Sequence, residues 1–177
     1  MLQFLIDQGA DVTKLNDEGI SLLLLLCTRM SKYYNLYEHA HVLIQASRNK
    51  IVQTQKGSVP LIDLQDEDGN TALMNLIRDI LGECGGSGEE GDREELYKIT
   101  QDFINAGANV NLVNKEGESV LDIAVDQEMT NVVRLLLKYG VKINIVRKVA
   151  ERVKKSKYHS TETKQLLSSY LRKINTP

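Results

Sequence analysis

Gly107-Ala108-Asn109-Val110-Asn111, then Asn114-Lys115-Glu116-Gly117-Glu118-Ser119-Val120-Leu121-Asp122-Ile123-Ala124, then Val132-Val133-Arg134-Leu135-Leu136-Leu137-Lys138-Tyr139-Gly140-Val141-Lys142-Ile143-Asn144 form a stretch that returns to its starting chemistry after 33 residues, from Gly107 to Gly140. Leu121, Ala124 and Val125 fall on one helical face. Val132, Val133, Leu135, Leu136 and Leu137 make a denser one, so the spacing predicts two short helices packed as an antiparallel hairpin. A glycine just past the second helix ends it in a left-handed conformation with no Cβ penalty. Asn114 to Gly117 reads as a tight turn, and Ser119 as the N-cap of the following helix. A unit of this size cannot bury both faces alone, so it requires neighbours.

The stretch resembles the ankyrin repeat, in which a turn is followed by two helices. In Gly117-x-Ser119-Val120-Leu121-x-x-Ala124, Ser119 stands for the family's usual Thr, Val120 for its Pro and Asp122 for its His. The resemblance implies an all-α repeat solenoid, with ankyrin-type helix-turn-helix units joined by β-hairpin turns and ended by a helical C-terminal cap. It also implies a non-catalytic protein–protein interaction scaffold that binds a partner protein through its hairpin tips and concave helix surface.

The same wording can be followed along the chain. Phe4-Leu5-Ile6-Asp7-Gln8-Gly9 matches Phe103-Ile104-Asn105-Ala106-Gly107, which suggests a fragment cut inside an upstream unit. Asn16-Asp17-Glu18-Gly19-Ile20-Ser21-Leu22-Leu23 aligns on Asn114 to Leu121, and Asp66-Glu67-Asp68-Gly69-Asn70-Thr71-Ala72-Leu73 aligns there too. Gly19 to Gly69 spans 50 residues and Gly69 to Gly117 spans 48, so material has been added to a period of 33. The additions fall around Met30 to Leu36, between Arg48 and Val59, where a lengthened β-hairpin is expected, and between Leu81 and Leu96. Ser47 takes the place of the helix-ending glycine. The expected organisation is one domain over 1–177: a partial repeat 1–15, a repeat with insertions 16–63, a repeat with an acidic Gly-rich insertion 64–111, a regular repeat 112–144 and a degenerate helical cap 145–177. The insertion 82–95 has five glycines and no apolar residue but Cys84, which predicts a mobile acidic loop. Beyond Asn144, Val146, Val149, Ala150 and Val153 mark one helix. Leu166, Leu167, Tyr170, Leu171 and Ile174 mark another, with Ser160 as its N-cap.

Where neighbouring layers should meet, Val125 replaces a usual Ala, and Leu26-Cys27 and Leu76-Ile77 occupy the paired small positions, so the helices are expected to spread. With 5% aromatics and no Trp, the core must be built mainly from Leu, Ile and Val. Net charge is −2, but residues 1–144 carry 13 Lys or Arg against 22 Asp or Glu, and residues 145–177 carry 9 against 2. The two ends therefore attract different partners. Cys27 and Cys84 fit no metal or disulfide spacing and read as reduced thiols of an intracellular, cytoplasmic or nuclear protein. The longest apolar run, Ile20 to Cys27, is too short to span a bilayer, so no transmembrane segment is expected. The opening residues show no basic segment leading into an apolar run, so no secretory leader is expected within them.

No enzyme activity is expected and no cofactor or metal. His39 and His41 at i and i+2 do not share a helix face, and neither Cys has the signature of a nucleophile beside its base. Asp66-Glu67-Asp68-Gly69-Asn70 fails the calcium-loop pattern, because placing Gly69 sixth puts Leu64 first and Asn75 twelfth. Gly82 to Gly91 lacks the Lys-Ser/Thr of a phosphate loop. The resemblance to the ankyrin repeat implies that the partner is bound at the turn tips, which here are Lys14, Asn16, Asp17 and Glu18, then Gln65, Asp66, Glu67 and Asp68, then Asn114, Lys115 and Glu116. They form a mostly acidic ridge suited to a protein partner with a basic surface. Tyr33, Tyr34 and Tyr37 make a second candidate patch, since aromatics are enriched at binding hot spots. Two other readings belong to the sequence. One is a regulatory or targeting domain of a larger enzyme. The other is contact with nucleic acid or acidic lipid through Arg147 to Lys157, Lys164, Arg172 and Lys173.

Overall fold

In the computed structural model, residues 1–29, 36–55, 57–79 and 90–175 are described. In chain order they form α1 (Leu2–Asp7), α2 (Leu22–Arg29), α3 (Leu36–Ser47), β1 (Ile51–Thr54), β2 (Gly57–Pro60), a 3-10 turn (Leu61–Asp63), α4 (Ala72–Asp79), α5 (Glu90–Asn105), α6 (Val120–Asp126), α7 (Thr130–Lys138), α8 (Ile143–Lys155) and α9 (Thr161–Asn175). The helices stand in two rows. In one row α2, α4, α6 and α8 touch in succession, and in the other α1, α3, α5, α7 and α9 do. Between the rows runs one apolar core, continuous from Leu23 to Leu167, in which Phe103 is the largest fully buried side chain. Leu26, Cys27, Leu76, Ile77 and Val125, the bulky residues expected between layers, are all buried in it.

These elements correct the expectation of an all-α repeat solenoid. The chain is mostly helical but also carries a two-stranded antiparallel sheet, in which Ile51 faces Pro60 and Thr54 faces Gly57. The joining turns are not β-hairpins: each holds a single bridge, Leu15 to Ser21, Gln65 to Thr71 and Val113 to Ser119. Nor are the helix pairs copies of one unit. Among the described residues their lengths are 8 and 12 residues for α2 and α3, 8 and 16 for α4 and α5, 7 and 9 for α6 and α7, and 13 and 15 for α8 and α9. The physical reason is that a recurring turn motif constrains only local backbone. Inserted residues are free to extend a helix or form strands, and no repeat solenoid is shown.

Two other expectations are corrected in detail. The acidic insertion 82–95 is not a loop throughout, because α5 begins at Glu90 and takes its last residues into a helix whose Leu96 and Ile99 are fully buried. The rest of it, Cys84 included, lies outside the described residues, as does most of the insertion at Met30 to Leu36. Ser47 does not take the left-handed place of a helix-ending glycine. It is the last residue of α3, and Asn49, two residues on, takes the left-handed backbone at φ 58°, which Asn tolerates better than most residues.

Three local expectations match. Ser119 caps α6 through a reciprocal box, its hydroxyl accepting from Asp122 N–H while the Asp122 carboxylate accepts from Ser119 N–H. Ser160 Oγ accepts from Thr163 N–H at the start of α9. The expected hairpin between Arg48 and Val59 is the β1–β2 pair. At its base Leu61 N–H donates to Lys50 C=O at 2.8 Å, closing the insertion where it leaves the helices.

Among the turn glycines, Gly69 alone is crowded. A Cβ there would lie 3.0 Å from Lys115 N and 3.2 Å from Asn114 Cα, on a backbone at φ 82°, whereas Gly19 and Gly117 at φ 75° have open space. Replacing Gly19 or Gly117 with Ala should cost about 1–2 kcal/mol of left-handed strain. Gly69→Ala should cost clearly more, because it also pushes apart two touching turns. Urea unfolding of the three variants measures this, and equal costs would show that the turns do not bear on one another.

Candidate functional site

Three turns share one construction. The side-chain oxygen of Asn16 accepts from Glu18 N–H at 3.1 Å and Ile20 N–H at 2.8 Å. Asp66 accepts from Asp68 and Asn70 N–H at 3.0 and 2.8 Å, and Asn114 from Glu116 and Glu118 N–H at 3.1 and 2.8 Å. In each turn the glycine three residues on, Gly19, Gly69 or Gly117, donates its N–H to the backbone C=O of the same residue. Short polar side chains favour this role because they reach backbone donors two residues ahead. Asp66 also accepts from Asn75 Nδ2 at 2.8 Å, and Asn75 in turn donates to Thr28 Oγ1. Of the predicted partner-binding residues, Asn16, Asp66 and Asn114 are thus turn builders.

The second and third turns are bonded to each other. Lys115 N–H donates to Asp68 C=O at 2.9 Å, Gln65 Nε2 to Val113 C=O at 3.0 Å, and the buried Asn114 Nδ2 to Asn70 Oδ1 at 3.0 Å. Gln65 Nε2 also donates to Gly69 C=O. Behind them Asp63 Oδ1 accepts Asn109 N–H at 2.8 Å, and Asn111 Oδ1 accepts Lys142 N–H at 2.7 Å in the next layer. The side chains left exposed on the crest are Asp17, Glu18, Glu67, Asp68, Lys115 and Glu116, five carboxylates and one amine. Lys14, also exposed, sits 3.9 Å from Asp11. Tyr33 and Tyr34 lie outside the described residues. Tyr37 is half-buried, donating its N–H to Glu95 Oε1 at 2.7 Å, with its ring 5.8 Å from that of His41.

Alongside the turns runs a cleft of about 640 Å³. The turns supply Asn16, Asp17 and Glu18, then Gln65 and Asp66, then Asn114 and Lys115. Gln53, Thr54, Gln55 and Val59 of the β1–β2 hairpin form the facing wall, and Leu15, Asp63, Leu64 and Val113 also line it. The position of the hairpin as a wall was not legible from sequence. The added length was, but its side of the fold depends on the Lys50–Leu61 closure.

Two carboxylates here respond oppositely to their surroundings. Asp63 is pushed up from the usual carboxylate pKa by burial, against the lowering effect of Asn109 N–H. Glu118 is held below it by the Asn114 side-chain amide and by Arg78, 2.8 Å away, despite partial burial. That Arg78–Glu118 contact joins α4 to the turn before α6.

Elsewhere His41 Nδ1 lies 2.8 Å from Asp102 Oδ2, tying α3 to α5, and Cys27 is buried. His159 lies 3.1 Å from Asp126 Oδ1. Among the described residues no group of three or more His, Cys, Asp or Glu could hold a metal ion. No helix among them is long and apolar enough to cross a membrane. Several basic residues of α8 and α9 bond acceptors of the protein itself. Arg152 bonds Asp126 at 2.6 Å, Lys148 Nζ donates to Gly117 C=O, and Lys164 Nζ to Ser156 C=O. Glu128 anchors the start of α9 through Ser160 N–H and Thr163 Oγ1, bonds that lower its pKa in spite of burial. A second hollow of about 690 Å³ lies between α5 and α7, beside Arg93, Tyr97, Arg134 and Lys138, away from the turns.

The opposed shifts set opposed pH effects. Glu118, with its lowered folded pKa, stabilises the fold above the unfolded value of about 4.3 and loses that contribution as pH falls through the folded pKa. Asp63, with its raised pKa, favours folding fully below about 3.9 and loses that contribution as pH rises through the folded value. Glu118→Gln should therefore lower the melting temperature at pH 7 by an amount that shrinks towards pH 3.5. Asp63→Asn should raise it at pH 7 by an amount that also shrinks on acidification. Thermal unfolding of both variants against pH checks the signs.

No protein-family model matches the chain, and no curated protein matches it.

Proposed function

We propose that this chain is a non-catalytic protein-interaction module that binds a partner through the face made by its three turns. The observation that carries this reading is a division of labour within each turn. Asn16, Asp66 and Asn114 hold the backbone, and their neighbours Asp17, Glu18, Glu67, Asp68 and Glu116 are exposed. A fixed backbone presenting side chains at set spacing lowers the entropy lost on binding, and carboxylates of one sign steer a basic partner. The resemblance of the turns to the ankyrin repeat supports the same reading, because that family binds proteins through its turn tips and inner helices. A reduced, intracellular setting, cytoplasmic or nuclear, belongs to this proposal, with Cys27 buried as a thiol. Contact with nucleic acid or acidic lipid is the weaker reading, since Arg152, Lys148 and Lys164 are spent on the protein's own acceptors.

The test uses side chains on the crest that take no part in turn building. Glu67→Lys with Glu116→Lys should leave the melting temperature within a few degrees of wild type. It should also weaken capture of at least one protein by the immobilised chain by about tenfold, equivalent to ~1.4 kcal/mol. An unchanged set of captured proteins, in unchanged amounts at low and physiological salt, would remove the crest as the interface.

A further inference from the structure

We propose that the cleft between the turns and the β1–β2 hairpin receives an extended segment of the partner bearing Lys or Arg side chains at alternate positions. This rests on the protein-interaction reading and names the chemistry of what binds. The cleft touches all three turns, at Asn16, Gln65 and Lys115, so it runs across them rather than sinking between two. Its volume of about 640 Å³ falls within the range of sites that enclose a small ligand, or a few residues of chain. A folded surface would ride on the crest, whereas a single extended strand can enter.

The facing wall favours such a strand. Gln53, Thr54 and Gln55, at the end of β1, line the cleft. Side-chain amides such as those of Gln53 and Gln55 can both donate and accept hydrogen bonds, and an extended segment lying along them presents alternate side chains to opposite sides. The charge of the lining specifies those side chains. Asp17, Glu18, Asp63 and Asp66 stand against a single amine, Lys115. Asp66 is committed to its turn, but Asp17 and Glu18 are exposed at the rim. Leu15, Val59 and the half-exposed Val113 supply apolar surface for residues between the basic ones.

Selection from a displayed library of random nonapeptides on the immobilised full chain tests this. The expected outcome is enrichment of peptides with Lys or Arg two residues apart. They should bind at least about tenfold more weakly to Asp17→Lys/Glu18→Lys, and by an intermediate amount to Asp17→Asn/Glu18→Gln. Amide shifts on binding should centre on Gln53, Thr54 and Gln65. The proposal is overturned by no enrichment, by enrichment of acidic or helix-patterned peptides, or by basic peptides that bind the Asp17→Lys/Glu18→Lys variant equally well. It is also overturned if sedimentation shows a concentration-dependent second copy filling the cleft. Failure here, with captured proteins still lost from the Glu67→Lys/Glu116→Lys variant, would leave the crest reading standing. Basic peptides found in the cleft while that crest variant captures as wild type would mean the reverse.

Discussion

A single side-chain oxygen accepting two backbone N–H groups sets the geometry on which the rest of this molecule depends. Asn16, Asp66 and Asn114 each make that pair of bonds, and the glycine three residues later completes the turn through a left-handed backbone. An Asn or Asp reaches its own chain at this distance and a longer side chain does not. With the backbone donors satisfied locally, the turn needs no strand partner, so each one keeps only a single bridge. The helix that follows starts from a fixed direction, and its apolar face meets the core where Ser119, Thr71 or Ser21 begins it.

Cohesion between successive turns comes from a different set of bonds. Asp63 and Asn111 each accept a backbone N–H from the next layer, and Gln65, Asn70 and Asn114 tie the second turn to the third. At the far end, polar groups do similar work: Arg152 spans Asp122 and Asp126, and Glu128 holds the first turn of α9. The helices between are joined mainly by apolar burial, which is indifferent to direction. Orientation is therefore set at the two polar edges, and the stability in the middle.

What could be read from residues alone follows this distinction. The turns were legible, because Asn-x-x-Gly and its Asp variant carry their own mechanism in four residues. The helices α6 and α7 were legible from Leu121, Val132 and Leu136, and the hairpin from the β-branched residues in Ile51-Val52 and Val59. The overall class is not legible in the period, because a period reports the turn and says nothing of what the inserted lengths become. The helical start of α5 at Glu90 was hidden by its glycine and acidic residues. Its helicity is secured by burial of Leu96, Ile99 and Phe103 further along, a tertiary effect. Of the site, the crest was visible as a charge pattern. The roles of Asn16, Asp66 and Asn114 as builders, and of Gln53 and Thr54 as a wall, required knowing which atoms meet.

The hairpin base, where Lys50 C=O meets Leu61 N–H, makes β1–β2 separable from the rest. The excursion leaves and rejoins the helical rows at one bonded pair, and of its strand residues only Val52 is buried. Its remaining positions can vary with little effect on the core. Such a module lets the chemistry of one wall drift under selection while the supporting scaffold is conserved. Recognition and folding would then be free to evolve at different rates within one chain.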